Sequence, residues 1–289
     1  MKTGLFKKII GQVYIWVILF LMYAPILVLV AYSFSNTEII GKGFHFSFDL
    51  YKNLFDLTNG TSKKIMIALC NTLLIAVISA AVSTFLGTLG AIGAFYSKRK
   101  IRKTIDGLTQ LPVVNAEIVV AFSLTVMFVF LGTYVFKSDL FGFWTLLIGH
   151  VSLSLPFVYI SVKPKLEQMD PSLYEAAVDL GASPRQALTK VIIPEIIPGI
   201  LSGFMLSITL SLDDFIITSF TRGPGLLNGE DQIETLSTFI QAAIKKKTVP
   251  PEMRALTTLI FLAVVIAVVI VSIYRYNQAK NTKKKRRVF

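Results

Sequence analysis

Six apolar runs, each near or above the length of a membrane crossing, alternate with polar stretches along the chain, at about 9–34, 68–96, 108–136, 140–162, 196–221 and 256–274. A hydrocarbon core about 30 Å thick is crossed by roughly 20 helical residues, so each run is long enough to span. The pattern predicts an all-α integral membrane protein with six transmembrane helices in a single domain. A signal peptide is the rival reading of the first run. Its apolar region would hold about 7–15 residues, and this run is longer, so it is read as an uncleaved span. Between the first two runs, Gly41, Gly43, Asn59 and Gly60 signal turns. Phe48, Tyr51, Leu54 and Phe55 recur there at helical spacing and predict a short amphipathic helix on the outer surface.

The longest internal polar passage between apolar runs is 170–198, and it overlaps a loop of about 164–195. It reads as two short helices. Asp170 caps the first, with Pro171 in the first turn, where its missing N–H costs nothing. Gly181 stops it, because glycine enters the left-handed C′ conformation without penalty. Ser183, Pro184 and Gln186 make a capping box for the second, and Pro194 and Pro198 mark the turn into the next span.

Composition supports the membrane reading. Of 289 residues, 54% are hydrophobic and 16% charged, against roughly 25% charged in soluble domains. The net charge of +12 invites a nucleic-acid reading, but its distribution follows topology. On the side of the two termini lie 19 lysines and arginines, and on the other side 10. Cytoplasmic loops carry the excess, so both termini and the loop 164–195 are expected inside. The run Lys245-Lys246-Lys247 works against this in a longer outer loop without overturning it. The tail Lys283-Lys284-Lys285-Arg286-Arg287 reads as topogenic, set against anionic lipid. A membrane location is expected, with membrane lipid and no nucleic acid among the partners.

Three carboxylates fall inside predicted spans: Glu117, Asp213 and Asp214. Each costs about 2.5–3.5 kcal/mol at mid-membrane on insertion scales. No lysine or arginine sits in a span to pair with them, so a partner chain, protonation, water or a cationic substrate must compensate. In span five, Gly203, Ser207, Ser211, Asp214 and Thr218 share one helical face, while Asp213 lies with Ser202 and Thr209. That face either lines a wet path or glues span five to a neighbouring helix. His150, in span four, reads as a hydrogen-bonded packing residue. No phosphate-loop motif occurs, and one cysteine (Cys70) with two histidines gives no metal site and no Cys-His nucleophile pair.

Glu175-Ala176-Ala177, with Leu180-Gly181 following and Ile193-Pro194 beyond, resembles the EAA loop of ABC-importer permeases. Asn71-Thr72-Leu73, Pro112 with Glu117, Leu212-Asp213-Asp214-Phe215, Thr221-Arg222-Gly223-Pro224 and Pro251-Glu252-Met253-Arg254-Ala255-Leu256 resemble the PotC-type permeases of spermidine/putrescine importers. The resemblance implies the type I importer (MetI-like) permease fold, and polyamine translocation. It implies ATPase coupling through Glu175, Ala176, Ala177, Leu180 and Gly181, and a substrate path through Asp214, Asp213, Glu117, Ser211 and Ser207. The implied partners are a sister permease (PotB-type), two ATPase subunits (PotA-type) that carry ATP and Mg, and an external polyamine-binding protein (PotD-type). This chain itself carries no cofactor and no catalytic constellation. A permease for another solute, such as ferric ion, thiamine or a sugar, remains open, as does a stand-alone cation channel or carrier. The latter needs no coupling helix.

Overall fold

The computed structural model describes residues 2–37, 43–170, 172–223, 233–246 and 249–285. Gly41, Pro171, Pro224, Lys247, Arg286 and Arg287, each named above, lie outside them. Among the described residues every named element is helical, and one isolated bridge pairs Ser35 with Phe46. Five helices among them are long and apolar enough to cross a membrane. The chain divides into two units, 1–65 with 246–289, and 66–245.

In the first unit, α1 (Lys2–Ser33) and α2 (Asp49–Phe55) both pack on α12 (Glu252–Lys285). Much of the apolar stretch Gly11–Ser33 of α1 stays uncovered by protein, as expected of a surface facing lipid or another chain, and only its end is buried, at Ser33. The expected short helix forms, but its anchors are Leu50 and Leu54, while Phe48 and Phe55 are exposed. Spacing alone could not select among apolar residues on so short a helix. The Tyr51 hydroxyl meets Ser33 Oγ at 2.8 Å, and Arg254 donates to the Thr37 carbonyl at 2.7 Å. The run 256–274 lies wholly within α12.

In the second unit, α3 (Gly60–Phe95) leads to α4 (Arg99–Val114), then α5 (Glu117–Phe130), which widens into a π turn at Leu131–Phe136. Next come α6 (Phe143–Gln168), α7 (Ser172–Asp179), α8 (Pro184–Ala187), a second π turn (Leu188–Ile192) and α9 (Ile193–Asp213). The short helices α10 (Ile216–Thr221) and α11 (Leu236–Lys245) follow. Of the five apolar helices, α6 is the most buried. It packs closely on α9, where a Cβ at Gly199 would stand 2.9 Å from the Ser161 carbonyl and one at Gly203 3.1 Å from Val158 Cα. Only glycine permits that approach. Val158, Val162, Leu166, Ile192 and Ile196 fill the core of this contact with Ala91 and Ile92 of α3.

Several boundaries differ from expectation. The second span begins at Gly60, eight residues early, and the fourth runs from Phe143 to Gln168. The third crossing is Glu117–Phe136, because the run from 108 is cut at Asn115–Ala116 and its first part belongs to α4. Span five was expected as one helix over 196–221. It instead begins at Pro184 and breaks at Asp214, whose backbone is extended (φ −64°, ψ 128°). Pro194 and Pro198 therefore mark no turn. The π turn at 188–192 lets the helix continue through the N–H that Pro194 lacks.

Candidate functional site

The helices that follow the two breaks, α5 and α10, pack against each other. Ala121 of α5 and Ile217 of α10 share one small core with Leu153, and four residues on Thr125 Oγ1 donates to the Phe220 carbonyl at 3.1 Å. The two helices thus run in parallel register. Glu117 stands one turn before Ala121, and Asp213 is the last residue of α9, just before the second break; both are exposed. Glu117 is the first residue of α5, not a mid-span residue, so the positive end of that helix favours its charge.

Asp214 behaves differently. Its side chain is buried, and both carboxylate oxygens are engaged at the start of α10. Oδ1 accepts the Ile217 N–H at 3.1 Å, and Oδ2 accepts the Thr218 N–H at 2.8 Å and the Thr218 hydroxyl at 2.9 Å. A buried carboxylate with three donors at a helix N-terminus needs no lysine or arginine. Ser237 donates to the Asp214 carbonyl, freed by the break, at 2.7 Å.

The polar face of α9 turns into the chain. Ser79 donates to Ser211 at 3.2 Å and Ser83 to Ser207 at 3.3 Å. His150 Nδ1 meets Ser211 Oγ at 2.8 Å, and Nε2 meets Thr218 Oγ1 at 3.0 Å. Donor bookkeeping fixes the directions. Thr218 spends its hydrogen on Asp214, so it must accept from His150, which places the ring proton on Nε2. Nδ1 then accepts from Ser211. Hydrogen bonds thus point one way from Ser79 through Ser211, His150 and Thr218 to the Asp214 carboxylate, an alignment in which each bond polarises the next. Ser207, Ser211 and Asp214, expected on a wet path, join α3, α6, α9 and α10 within this chain. Ser79, Ser83 and Ser237 were not anticipated. The matching four-residue spacing of Ser79 and Ser83 with Ser207 and Ser211 is the signal that pairs them.

Asn71 and Thr72 hold the segment before α11. Asn71 Nδ2 donates to the Glu234 carbonyl at 2.9 Å, and the Leu236 N–H donates to Thr72 Oγ1 at 2.8 Å.

The loop after α6 carries the expected caps. Asp170 Oδ1 accepts the Ser172 N–H at 3.0 Å, which holds its carboxyl below the usual carboxylate range. Gly181 has φ +85°, its N–H reaches the Val178 carbonyl at 2.9 Å, and the Ala182 N–H reaches the Ala177 carbonyl at 3.0 Å, the full Schellman pair. Ser183 and Gln186 bond reciprocally at 2.9 and 3.4 Å. Glu175 and Ala176 are exposed, Ala177 is half-buried, and Leu180 is 90% exposed. Tyr174 turns inward onto Tyr96, ring centroids 5.6 Å apart.

Residues 83–284 match the model of the binding-protein-dependent transport system inner membrane component. The chain belongs to this family of permeases. The permease is 32% identical over 248 residues to the spermidine/putrescine transport system permease protein PotC of Escherichia coli (strain K12), covering 86% of this chain and 87% of that protein. It is 32% identical, over 84% of this chain and 82% of that protein, to the putrescine transport system permease protein PotI of the same organism. Its fold resembles a chain in the crystal structure of a bacterial ABC transporter involved in the import of the acidic polysaccharide alginate (TM-score 0.67, 19% identity, 93% of each chain covered). The permease is thus an ABC-importer subunit of MetI-like fold, similar to PotC.

Proposed function

We propose that this permease is one half of a heterodimeric pore that imports polyamines, spermidine or putrescine, across the bacterial inner membrane. The observation that carries the reading is the likeness to permeases named for spermidine/putrescine and putrescine transport along more than four fifths of the chain. The proposed complex contains a sister permease (PotB-type), two ATPase subunits (PotA-type) that bind ATP and Mg, and an external polyamine-binding protein (PotD-type). The run 256–274 of α12 is the sixth span, and both termini are cytoplasmic. The coupling helix is α7, which presents Glu175, Ala176, Ala177 and the αL turn at Leu180-Gly181 to the ATPase.

The substrate path passes the paired breaks. Irregular backbone at membrane depth is tolerated where it lines a wet cavity, and many secondary transporters place substrates at broken helices. Exposed Glu117 and Asp213 supply negative charge to a flexible polycation. Asp214, Ser207 and Ser211 stand behind them and hold the break in shape. Attraction at such a wet site is modest, so the substrate can leave again. The reading is tested by uptake of labelled polyamine into proteoliposomes holding the full complex, with alginate oligosaccharide and thiamine as competing solutes. Polyamine uptake driven by ATP supports it, and uptake of another solute alone replaces polyamine with that solute.

A further inference from the structure

A second polar cluster lies away from the breaks, on the contact between α4 and α6. Asp106 accepts from the Lys163 ammonium at 2.8 Å and from the Tyr159 hydroxyl at 2.7 Å. Arg102 pairs with Glu167, and Lys163 stands 3.8 Å from the same Glu167. The Arg102 guanidinium also lies over the Phe95 ring, 5.3 Å from its centroid. Phe95 is edge-on to Tyr96 at 5.2 Å, and Tyr96 is the residue on which Tyr174 of the coupling helix rests.

The need for this cluster follows from α4 itself. It is amphipathic and has no buried residue. Ile105, half-buried, packs against the neighbouring core. A helix so thinly anchored by apolar contact is placed by its polar ones. Isolated exposed ion pairs are weak, but this is a network of five groups joining two helices, with the carboxylate of Asp106 satisfied twice. α4 ends at Val114, immediately before the Asn115–Ala116 break and Glu117.

We propose that Arg102, Asp106, Tyr159, Lys163 and Glu167 form a clamp through which the coupling helix positions α4 and, at its far end, the break that carries Glu117. These are positioning residues. When the coupling helix moves, the ring contacts Tyr174–Tyr96–Phe95 displace Arg102, and the clamp carries that displacement into α4 and toward its end at Val114. The inference rests on the coupling and path assignments proposed above.

The experiment uses the full complex in proteoliposomes and reads substrate imported per ATP hydrolysed. Asp106→Asn and Lys163→Met are expected to lower that ratio roughly tenfold, within the usual range of coupling between sites, while ATP hydrolysis persists. The exchange Asp106→Lys with Lys163→Asp is expected to recover most of the loss. An unchanged ratio in both single variants, or an exchange no better than either, overturns the proposal. A second measurement does not depend on substrate. In a Cys70→Ala background, spin labels at positions 103 and 168 are expected to give one narrow distance distribution that broadens with the mild variant Tyr159→Phe. An unaltered distribution overturns the clamp even if the ionic variants fail to assemble. If the parent complex hydrolyses ATP without importing polyamine while Tyr159→Phe still broadens the distribution, the substrate assignment is overturned and the clamp stands.

Discussion

Asp214 and Asp213 are neighbours with opposite surroundings, and substitution separates their roles. Asn at 214 would turn an amide NH2 toward one of the two N–H groups at the start of α10 and leave that donor without an acceptor. Hydrogen bonds to charged groups are worth about 1.5–3 kcal/mol each, so Asp214→Asn is expected to lower the thermal stability of the purified complex clearly. Asp213→Asn, at an exposed position, is expected to leave it unchanged. Equal melting curves for Asp214→Asn and the parent would contradict the cap. Burial raises the Asp106 carboxyl, but the bonds from Lys163 and Tyr159 outweigh it and hold that group below its usual range. A depressed carboxyl stabilises fully above its unfolded value, near pH 3.9, and loses that contribution only as pH falls through the lower folded value. The stability gap between the parent and Asp106→Asn is therefore expected to stay constant between about pH 5 and 8. A gap that closes by pH 6 would show that Asp106 is not held by these partners. The intramembrane carboxylates were legible as unusual charges. What compensates Asp214 was not, because backbone N–H groups at a helix break have no signature in composition.

At the scale of elements, the loop after α6 was legible almost residue by residue. Asp170, Gly181 and the Ser183–Gln186 box are local signals, and caps act within four residues of themselves. The breaks in spans three and five were not legible. Neither Asn115–Ala116 nor Asp214–Phe215 contains proline or glycine, and hydropathy averaged over a run passes smoothly across them. The α9 polar face was legible as a face that lines a wet path or meets a neighbouring helix; the choice between them was not, since periodicity alone does not name a neighbour, and only the matching spacing of Ser79 and Ser83 hints at it. Two variants test the loop. Gly181→Val puts a β-branched side chain at φ +85°, where left-handed backbone costs roughly 1–2 kcal/mol or more. It is expected to distort the turn and weaken recovery of the ATPase with the permease. Leu180→Ala removes an exposed leucine that is expected to fill a partner pocket, and should weaken recovery several-fold without altering permease folding. Full ATPase recovery with both variants would remove the coupling role from α7.

For the whole molecule, hydropathy and basic-residue asymmetry carried the reading. The family match and the helical fold agree with an inner-membrane permease. Orientation is tested by labelling single cysteines from outside in a Cys70→Ala background. Position 45 is expected to react, and positions 100 and 185 are not. Outside labelling at 185 would overturn the orientation and the coupling role together.

The most direct test is uptake of labelled spermidine and putrescine by proteoliposomes containing the parent complex, Asp213→Asn or Glu117→Gln. The parent is expected to import polyamine with ATP. Each neutral variant is expected to lose roughly ten- to thirtyfold in uptake, about 1–2 kcal/mol, while still assembling and hydrolysing ATP in response to the loaded binding protein. Parent-level uptake by both variants would contradict a negatively charged path at the paired helix breaks.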